Sequence, residues 1–204
     1  MKAEIDYFFC LRSPWAFLGI QRMNDIVARH NTLLNYKPVK IRKVFEATGG
    51  VTLTRRSRQR KAYRLMELKR WSDYLGINLN LAPRFEFPET DFDAARTVIA
   101  AIQRGYEPGK LVSSYLRGMW IEDRDISDPP TIRSIIAESG YDSEFLLQTS
   151  CEPKIEAIFE ANTQEAIKKG VFGIPAWVLN GELFWGQDRL EFLDRRLAMM
   201  QDSK

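Results

Sequence analysis

The order of predicted elements in the first 41 residues restricts the possible folds more than any other feature of this chain. Residues 3–11 are a short run crowded with aromatic and branched side chains, which is typical of a buried strand. Ser13 then provides a preferred helix N-cap and Pro14 a favoured first helical residue. A second strand is predicted over 33–41. The unit is therefore β-α-β, which implies two parallel strands joined by a right-handed crossover.

The C-terminal end of the chain predicts two antiparallel strands followed by a helix. A strand is expected over 176–179, and Asn180-Gly181 is a dipeptide that favours a tight hairpin turn. The paired strand covers 183–185, and the segment 187–188 begins a last helix with its apolar residues on one face. Together with the N-terminal unit, this order is that of a thioredoxin-like fold.

The middle of the chain, from about 44 to 170, has helical periodicity and no strand signal. We therefore predict an α/β protein with a thioredoxin-like fold (β-α-β then β-β-α) and an inserted all-helical domain. The thioredoxin-like domain comprises residues 1–43 plus 171–204, and the helical insertion domain comprises 44–170. Helices are predicted in the insertion over 55–75, 91–105, 109–122, 130–139, 143–149 and 152–169.

The composition, with 45% apolar and 28% charged residues in 204, is ordinary for a globular protein. No stretch approaches the ~20 apolar residues of a membrane helix, and the N-terminus lacks the features of a signal peptide, so we expect a cytoplasmic protein with no membrane partner. In a reducing compartment Cys10 and Cys151 are expected to be free thiols. The single histidine, His30, argues against a metal site and against a Ser-His hydrolase.

Ser13 is the first candidate for chemistry because it lies at a strand-to-helix junction. The N-terminus of a helix favours negative charge, so a thiolate bound there is stabilised, and the serine hydroxyl can donate a hydrogen bond to it. The alternative is that Ser13 only caps its helix, which is the common role of a serine at such a position.

A second candidate is Gly173-Ile174-Pro175, which comes immediately before the strand at 176–179. A proline that opens a strand is compatible with a cis or a trans peptide bond. In a thioredoxin-like fold this segment meets the start of the first helix, so we predict a cis bond at Pro175 and a position close to Ser13. The exposed backbone of the residue before such a proline can pair with a peptide ligand as an added strand.

The basic residues between 55 and 64 have two interpretations. They form either a cationic rim that attracts an anionic ligand or a solvated helix face, and Arg55 is the residue most expected to bind a ligand. The stretch has few aromatic side chains for stacking on bases, and the net charge is only +3, so no nucleic-acid partner is expected.

Three motifs, in this order and at this spacing, resemble the bacterial 2-hydroxychromene-2-carboxylate isomerases and their relatives, the kappa-class glutathione transferases. The resemblance runs over nearly the full chain. It implies a glutathione-dependent isomerase that interconverts 2-hydroxychromene-2-carboxylate and trans-o-hydroxybenzylidenepyruvate, with glutathione and a small aromatic carboxylate as partners, and a homodimer. The motifs are Ser13-Pro14-Trp15-Ala16 with Phe17-Leu18-Gly19, Val171-Phe172-Gly173-Ile174-Pro175, and Trp185-Gly186-Gln187-Asp188-Arg189.

The resemblance also implies roles for individual residues. Ser13 activates the glutathione sulfur, and Ala16 stands where disulfide oxidoreductases of this fold carry their second active-site cysteine, so CxxC redox chemistry is not expected. The residues implied to bind glutathione are Ser13, Ile174, Pro175, Trp185, Gly186, Gln187 and Asp188. The residues implied to bind the electrophilic substrate are Thr54, Arg55, Phe85 and Lys43.

The electrophile side departs from the family pattern, whereas the glutathione side matches it. Phe85 replaces a tyrosine, Thr54 replaces an amide side chain, and Val44 stands at the position of a lysine. Cys10 and Arg12 also differ from the residues that usually flank the serine. The alternatives left open are a glutathione transferase or peroxidase with another electrophile, a disulfide oxidoreductase, and a non-catalytic binding module.

Overall fold

The computed structural model describes residues 2–85 and 91–202 of the chain. Its strands are β1 (Glu4–Phe9), β2 (Leu33–Pro38), β3 (Ala176–Leu179) and β4 (Glu182–Trp185). Its α-helices are α1 (Pro14–His30), α2 (Ile41–Thr48), α3 (Arg58–Leu75), α4 (Phe92–Gln103), α5 (Gly109–Trp120), α6 (Pro129–Glu138), α7 (Ser143–Ser150), α8 (Pro153–Lys168) and α9 (Leu190–Asp202). Short 3₁₀ turns, Leu53–Arg55 and Gln187–Arg189, precede α3 and α9.

The four strands form one mixed sheet in the order β2-β1-β3-β4. Strands β1 and β2 are parallel, and β1 pairs antiparallel with β3, so Tyr7 lies between Tyr36 on one side and Trp177 on the other. The hairpin between β3 and β4 turns at Asn180 and Gly181, whose φ values of 51° and 83° are the positive values that a two-residue hairpin turn requires. The predicted thioredoxin-like order, β-α-β then β-β-α, is confirmed.

Strand β1 is buried on both faces of the sheet. Tyr7 and Phe9, whose rings stack at 4.5 Å, belong to the main core, whereas Phe8 and Cys10 belong to a second cluster on the other face. The reason is that successive side chains of a strand point to opposite faces. The main core also contains Trp120 of α5, so the helical part of the chain packs on the sheet through a shared core. The division into domains 1–43 plus 171–204 and 44–170 stays a prediction.

Two element boundaries differ from the prediction near the site. Strand β2 ends at Pro38 rather than at residue 41, and the following residues form α2, which no sequence pattern had indicated. Val39 and Ile41 alternate like strand residues, but both are buried in the second core cluster. Helix α3 begins at residue 58 rather than near 55, because the side chain of Ser57 caps it by accepting a hydrogen bond from the N–H of Arg60 at 3.3 Å.

Helix α3 exposes more apolar surface than its sequence pattern suggested. Leu68 is buried, as expected for the inward face, but Tyr63, Met66 and Tyr74 are exposed, Tyr74 to 79%. Both cysteines are free, as expected, and Cys10 is buried. The described part of 44–170 contains helices and turns only. None of the described helices is long and apolar enough to cross a membrane.

Candidate active site

Ser13 lies where β1 leads into α1, and it is almost completely buried. Its backbone is extended, with φ −83° and ψ 117°, and its Oγ accepts a hydrogen bond from the N–H of Ala16 at 3.2 Å. Because the hydroxyl oxygen is the acceptor in this cap, the hydroxyl hydrogen remains able to donate to a ligand. The two roles considered for Ser13, a helix cap and a donor to a thiolate, are therefore compatible.

A pocket of about 160 Å³ opens beside Ser13 and is called the small pocket below. Thr54 and Ile174 also line it, so elements far apart in the sequence converge here. Among the described residues that line the small pocket, none is acidic. It is an anion-attracting pocket, because four arginines line it: Arg12, Arg42, Arg56 and Arg64.

A second pocket, of about 750 Å³, adjoins the first and is called the large pocket. Trp15 and Ile174 line both pockets, so the two form one continuous cleft with Ser13 close to the point where they meet. The indole of Trp71 on α3 and the segment 185–188 line the large pocket. The cleft thus lies between α1, α3 and the loops that flank β3 and β4.

The Ile174–Pro175 peptide bond is cis, as predicted. Ile174 lines the same small pocket as Ser13, so the two sequence motifs meet at one cleft, as predicted. The N–H of Gly186 donates to the carbonyl of Pro175 at 2.9 Å, and this bond attaches the turn at 186–189 to the same place.

Two exposed aromatic side chains form the rim of the large pocket. Trp185 and Phe172 are 48% and 43% exposed, and their ring centroids lie 4.7 Å apart. Between them, Gly173 has no room for a side chain, since a Cβ there would lie 2.5 Å from Nε1 of Trp185. The glycine therefore allows the indole to lie directly against the backbone beside Ile174.

Gln187, at the start of the last helical segment, is buried against α1. The guanidinium of Arg22 donates to Oε1 of Gln187 and, at 3.3 Å, to the carbonyl of Leu18, and it lies over the ring of Trp71 at 5.5 Å. Nε2 of Gln187 is buried and has no hydrogen-bond partner within the described chain. A buried amide donor without a protein partner is uncommon, so Gln187, which lines the large pocket, is a candidate for binding a polar ligand.

Asp188, next to Gln187, is the acidic residue predicted to receive the ammonium group of glutathione. Its carboxylate lies 2.7 Å from Arg189, and both side chains are largely exposed. Exposed ion pairs are weak, so this carboxylate remains available to an ammonium group.

The four residues implied to bind the electrophile are not all brought to the cleft. Thr54 lines the small pocket, but Arg55, Phe85 and Lys43 are not among the lining residues of either pocket. Lys43 instead donates to Glu160 on α8 at 2.8 Å, and Phe85 lies under the guanidinium of Arg84 at 5.2 Å.

Arg56 lines both pockets, although the sequence had singled out its neighbour Arg55. Its Nε donates to the carbonyl of Val51 at 3.1 Å. Its pKa is lowered by burial and by the nearby positive charges of Arg60 and Arg64. Clustered like charges of this kind favour an anionic ligand. The sequence could not decide between adjacent arginines, because the 3₁₀ turn at 53–55 sets which one faces inward.

Cys10 also lines the small pocket, yet it is not a nucleophile. Burial raises the pKa of its thiol to about 12, with a contribution from the charge of Asp91, so it remains protonated. This agrees with the expectation of a core thiol.

The fold and the cleft define a thioredoxin-like protein with a serine at the helix start, and the chain belongs to the DSBA-like thioredoxin domain family, whose pattern it matches over residues 4–198. Within this class it is 26% identical over 199 residues to the 2-hydroxychromene-2-carboxylate isomerase of Sphingobium xenophagum, with 97% of this chain and 99% of that protein covered. It is 23% identical over 215 residues to glutathione S-transferase kappa 1 of Homo sapiens, with 97% and 92% covered.

A solved structure of a 2-hydroxychromene-2-carboxylate isomerase has the same fold, with a TM-score of 0.82 at 22% identity over 98% of this chain and 97% of that one. The resemblance found in the sequence motifs is confirmed by these comparisons.

Proposed function

We propose that the protein is a glutathione-dependent isomerase that interconverts 2-hydroxychromene-2-carboxylate and trans-o-hydroxybenzylidenepyruvate. The observation that carries this proposal is the position of Ser13, at a helix start and close to the junction of a large pocket and a small arginine-lined pocket. A tripeptide with a reactive sulfur needs that arrangement, with space for its backbone on one side and for an anionic electrophile on the other.

The large pocket offers polar groups that match those of glutathione. Nε2 of Gln187 offers a buried donor without a protein partner, and Asp188 offers a carboxylate for the ammonium group. The backbone beside the cis Pro175 is able to pair with a peptide as an added strand, as inferred for Ile174. Trp185 and Gly186 complete the binding surface at the rim.

The residues of the chain stabilise the charge of the thiolate and position the substrate. Glutathione, when bound, supplies the thiolate that adds to a conjugated carbon of the substrate and leaves it after a bond has rotated. Ser13 donates a hydrogen bond to the sulfur, and the N-terminus of α1 stabilises its negative charge. The arginines of the small pocket hold the substrate anion, so that the reacting atoms are brought together. Thr54 offers a hydroxyl to the substrate from the same pocket.

The second candidate is a kappa-type glutathione transferase or peroxidase with another electrophile. It is favoured by the placement of Lys43 and Phe85, which line neither pocket, because an isomerase substrate was expected to contact them. A disulfide oxidoreductase is a weaker candidate, since Ser13 and Ala16 occupy the two cysteine positions and Cys10 is held as a thiol.

The first experiment is a thermal unfolding series with millimolar glutathione. At a hundredfold excess over Kd, glutathione is expected to add about 2.7 kcal/mol to the free energy of unfolding, which raises Tm by roughly 5–10 °C for a chain of this size. No shift at any glutathione concentration would contradict the proposal and would support a non-catalytic module with another ligand.

The second experiment follows 2-hydroxychromene-2-carboxylate with and without glutathione by chromatography. The isomerase is expected to form product only with glutathione and to return the glutathione unchanged. A stable glutathione adduct would instead identify a transferase, and reduction of insulin disulfides would identify an oxidoreductase.

We also propose that the protein is a cytoplasmic homodimer. The support for a dimer is the apolar surface of α3, where Tyr63, Met66 and Tyr74 are exposed. Light scattering coupled to size exclusion tests it, and a monomer at micromolar concentration would contradict it.

A further inference from the structure

The small pocket is where the electrophile must lie if glutathione occupies the large one, so any role of its residues in binding the electrophile rests on the proposed function. Ser13 belongs to the small pocket and Ile174 lines both, so a sulfur bonded to the Ser13 hydroxyl would lie near the boundary of the two pockets. A group attached to that sulfur therefore enters the small pocket. The arginines of this pocket differ in their surroundings, and this difference indicates which one contacts the electrophile.

Arg12 immediately precedes Ser13. Two of the four arginines, Arg12 and Arg42, line only the small pocket, and Arg12 is the more enclosed of the two. Its side chain is 18% exposed, whereas Arg42 on α2 is exposed. Arg56 and Arg64 line both pockets, so their charges are shared with the glutathione side. Arg12 is thus the cation closest in sequence to Ser13 and confined to the electrophile side.

Among the described residues, the guanidinium of Arg12 is held near a buried carboxylate without a hydrogen bond to it. Nε of Arg12 lies 3.9 Å from Oδ1 of Asp91, which is longer than a hydrogen bond, while Oδ2 of Asp91 accepts from the N–H of Leu11 at 2.9 Å. Asp91 is itself buried at the start of α4. A buried carboxylate at this distance holds the cation by its charge without accepting a hydrogen bond from it.

The other neighbour of Arg12 is the thiol of Cys10, which is neutral because its pKa is raised by burial. A guanidinium has five N–H donors in a planar fork and no acceptor, so its two partners among the described residues, Asp91 and Cys10, do not use all of its donors. Arg12 lines the small pocket and its side chain is 18% exposed, so part of this side chain faces the open space of the pocket.

We infer that Arg12, positioned by Asp91, binds the carboxylate of the electrophile and determines that this enzyme acts on anionic substrates. The planar guanidinium accommodates the two oxygens of a carboxylate in parallel hydrogen bonds, which orients the substrate relative to the sulfur at Ser13. Arg12 is a specificity-determining residue that the motif resemblance did not assign.

The test compares thioether conjugates of glutathione: the tripeptide is the same in all of them, so differences in their affinity report on the small pocket. The probes are S-benzylglutathione and the 2-, 3- and 4-carboxybenzyl conjugates, measured by titration calorimetry at fixed ionic strength. At least one carboxybenzyl isomer is expected to bind about ten- to a hundredfold more tightly than the benzyl conjugate, the usual range for a hydrogen bond to a charged group.

Arg12→Gln is expected to remove most of this preference while leaving the affinity for S-benzylglutathione within about twofold. Arg12→Lys, which keeps the charge but not the fork, is expected to retain part of it and serves as the folded variant if the glutamine is not tolerated. The matched control is Arg195→Gln on α9, an exposed arginine that lines neither pocket, which should keep the full preference.

Each outcome separates this inference from the proposed function. If all conjugates bind equally, or if the carboxylate preference survives in Arg12→Gln, the assignment of Arg12 is overturned while glutathione binding stands. If neither glutathione nor any conjugate binds, the proposed function fails together with it.

Discussion

The substitution Ser13→Ala separates the chemical role of this serine from its structural one. It removes the hydroxyl that is expected to donate to the glutathione sulfur, and it removes the oxygen that accepts from the N–H of Ala16 at 3.2 Å. The backbone groups and the turn at 185–188 that are proposed to hold the tripeptide are left in place. We therefore expect glutathione to bind with nearly unchanged affinity.

The expected magnitude follows from the lost hydrogen bond. A hydrogen bond to a charged group is worth roughly 1.5–3 kcal/mol, which corresponds to about one to two pKa units. The pKa of the bound thiol should rise by that amount, because the thiolate loses a donor. The rate at neutral pH should fall by about ten- to a hundredfold, and by less if the N-terminus of α1 contributes most of the stabilisation.

The substitution also has a structural cost that must be measured separately. Loss of an N-cap costs about 1 kcal/mol, which lowers Tm by roughly 2–4 °C in a chain of this length. Ser57→Ala is the matched control, since Ser57 caps α3 through the N–H of Arg60 at 3.3 Å and lines neither pocket. It should show a similar loss of stability and no change in the thiol pKa.

The assay is the ultraviolet absorbance of the bound thiolate, recorded against pH on protein shown to be folded by circular dichroism. A titration curve in Ser13→Ala that matches the wild type would refute the reasoning and leave Ser13 as a helix cap only.

Three further predictions concern the walls of the cleft and one ion pair. Arg22→Gln should lower the free energy of unfolding by about 1–3 kcal/mol, because it leaves the buried Oε1 of Gln187 without its donor, and it should raise the Kd for glutathione measured by calorimetry. Gly173→Ala should also raise that Kd, because its Cβ would lie 2.5 Å from Nε1 of Trp185 and displace the indole. Glu160→Gln should make the free energy of unfolding fall less steeply on acidification. Lys43 and Gln164 hold the pKa of Glu160 at about 2. The ionised carboxylate therefore contributes stability above the usual pKa of 4.5, and this contribution disappears as the pH falls towards 2.

The control variant for Arg22→Gln lies on the same helix. Arg29→Gln, on the solvent side of α1, breaks an ion pair with Asp194 and should leave glutathione affinity unchanged. Unaltered affinity in folded Arg22→Gln or Gly173→Ala would show that the geometry of Gln187 or Trp185 does not control binding. For Glu160→Gln, urea unfolding between pH 2 and 5 is the measurement, and a slope equal to that of the wild type would count against the predicted linkage.

The sequence by itself determined the features whose causes are local. Ser13 followed by proline specified the start of α1, and Asn180-Gly181 specified the hairpin, because only residues that tolerate positive φ form that turn easily. The order of strands and helices then determined the sheet, since a β-α-β unit and a hairpin leave few ways to pair four strands. The meeting of Ser13 with Ile174 followed from that order.

Only the tertiary structure decided which side chains line the cleft. Strand β2 ends at Pro38, before the predicted residue 41, and Val39 and Ile41 are buried with residues of β1, β3 and α8 instead of continuing the strand. Lys43 then pairs with Glu160, more than a hundred residues later, instead of facing the pocket.

The same holds for the residues that the motifs did not single out. Arg22 reaches Gln187 across 165 positions of sequence, and Arg12 lies beside Asp91, the N-cap residue of α4. Side-chain direction depends on helix phase and on contacts between distant segments. A short sequence pattern contains no information on either of these, so it predicts the backbone segments of this site but not which charged side chains line it.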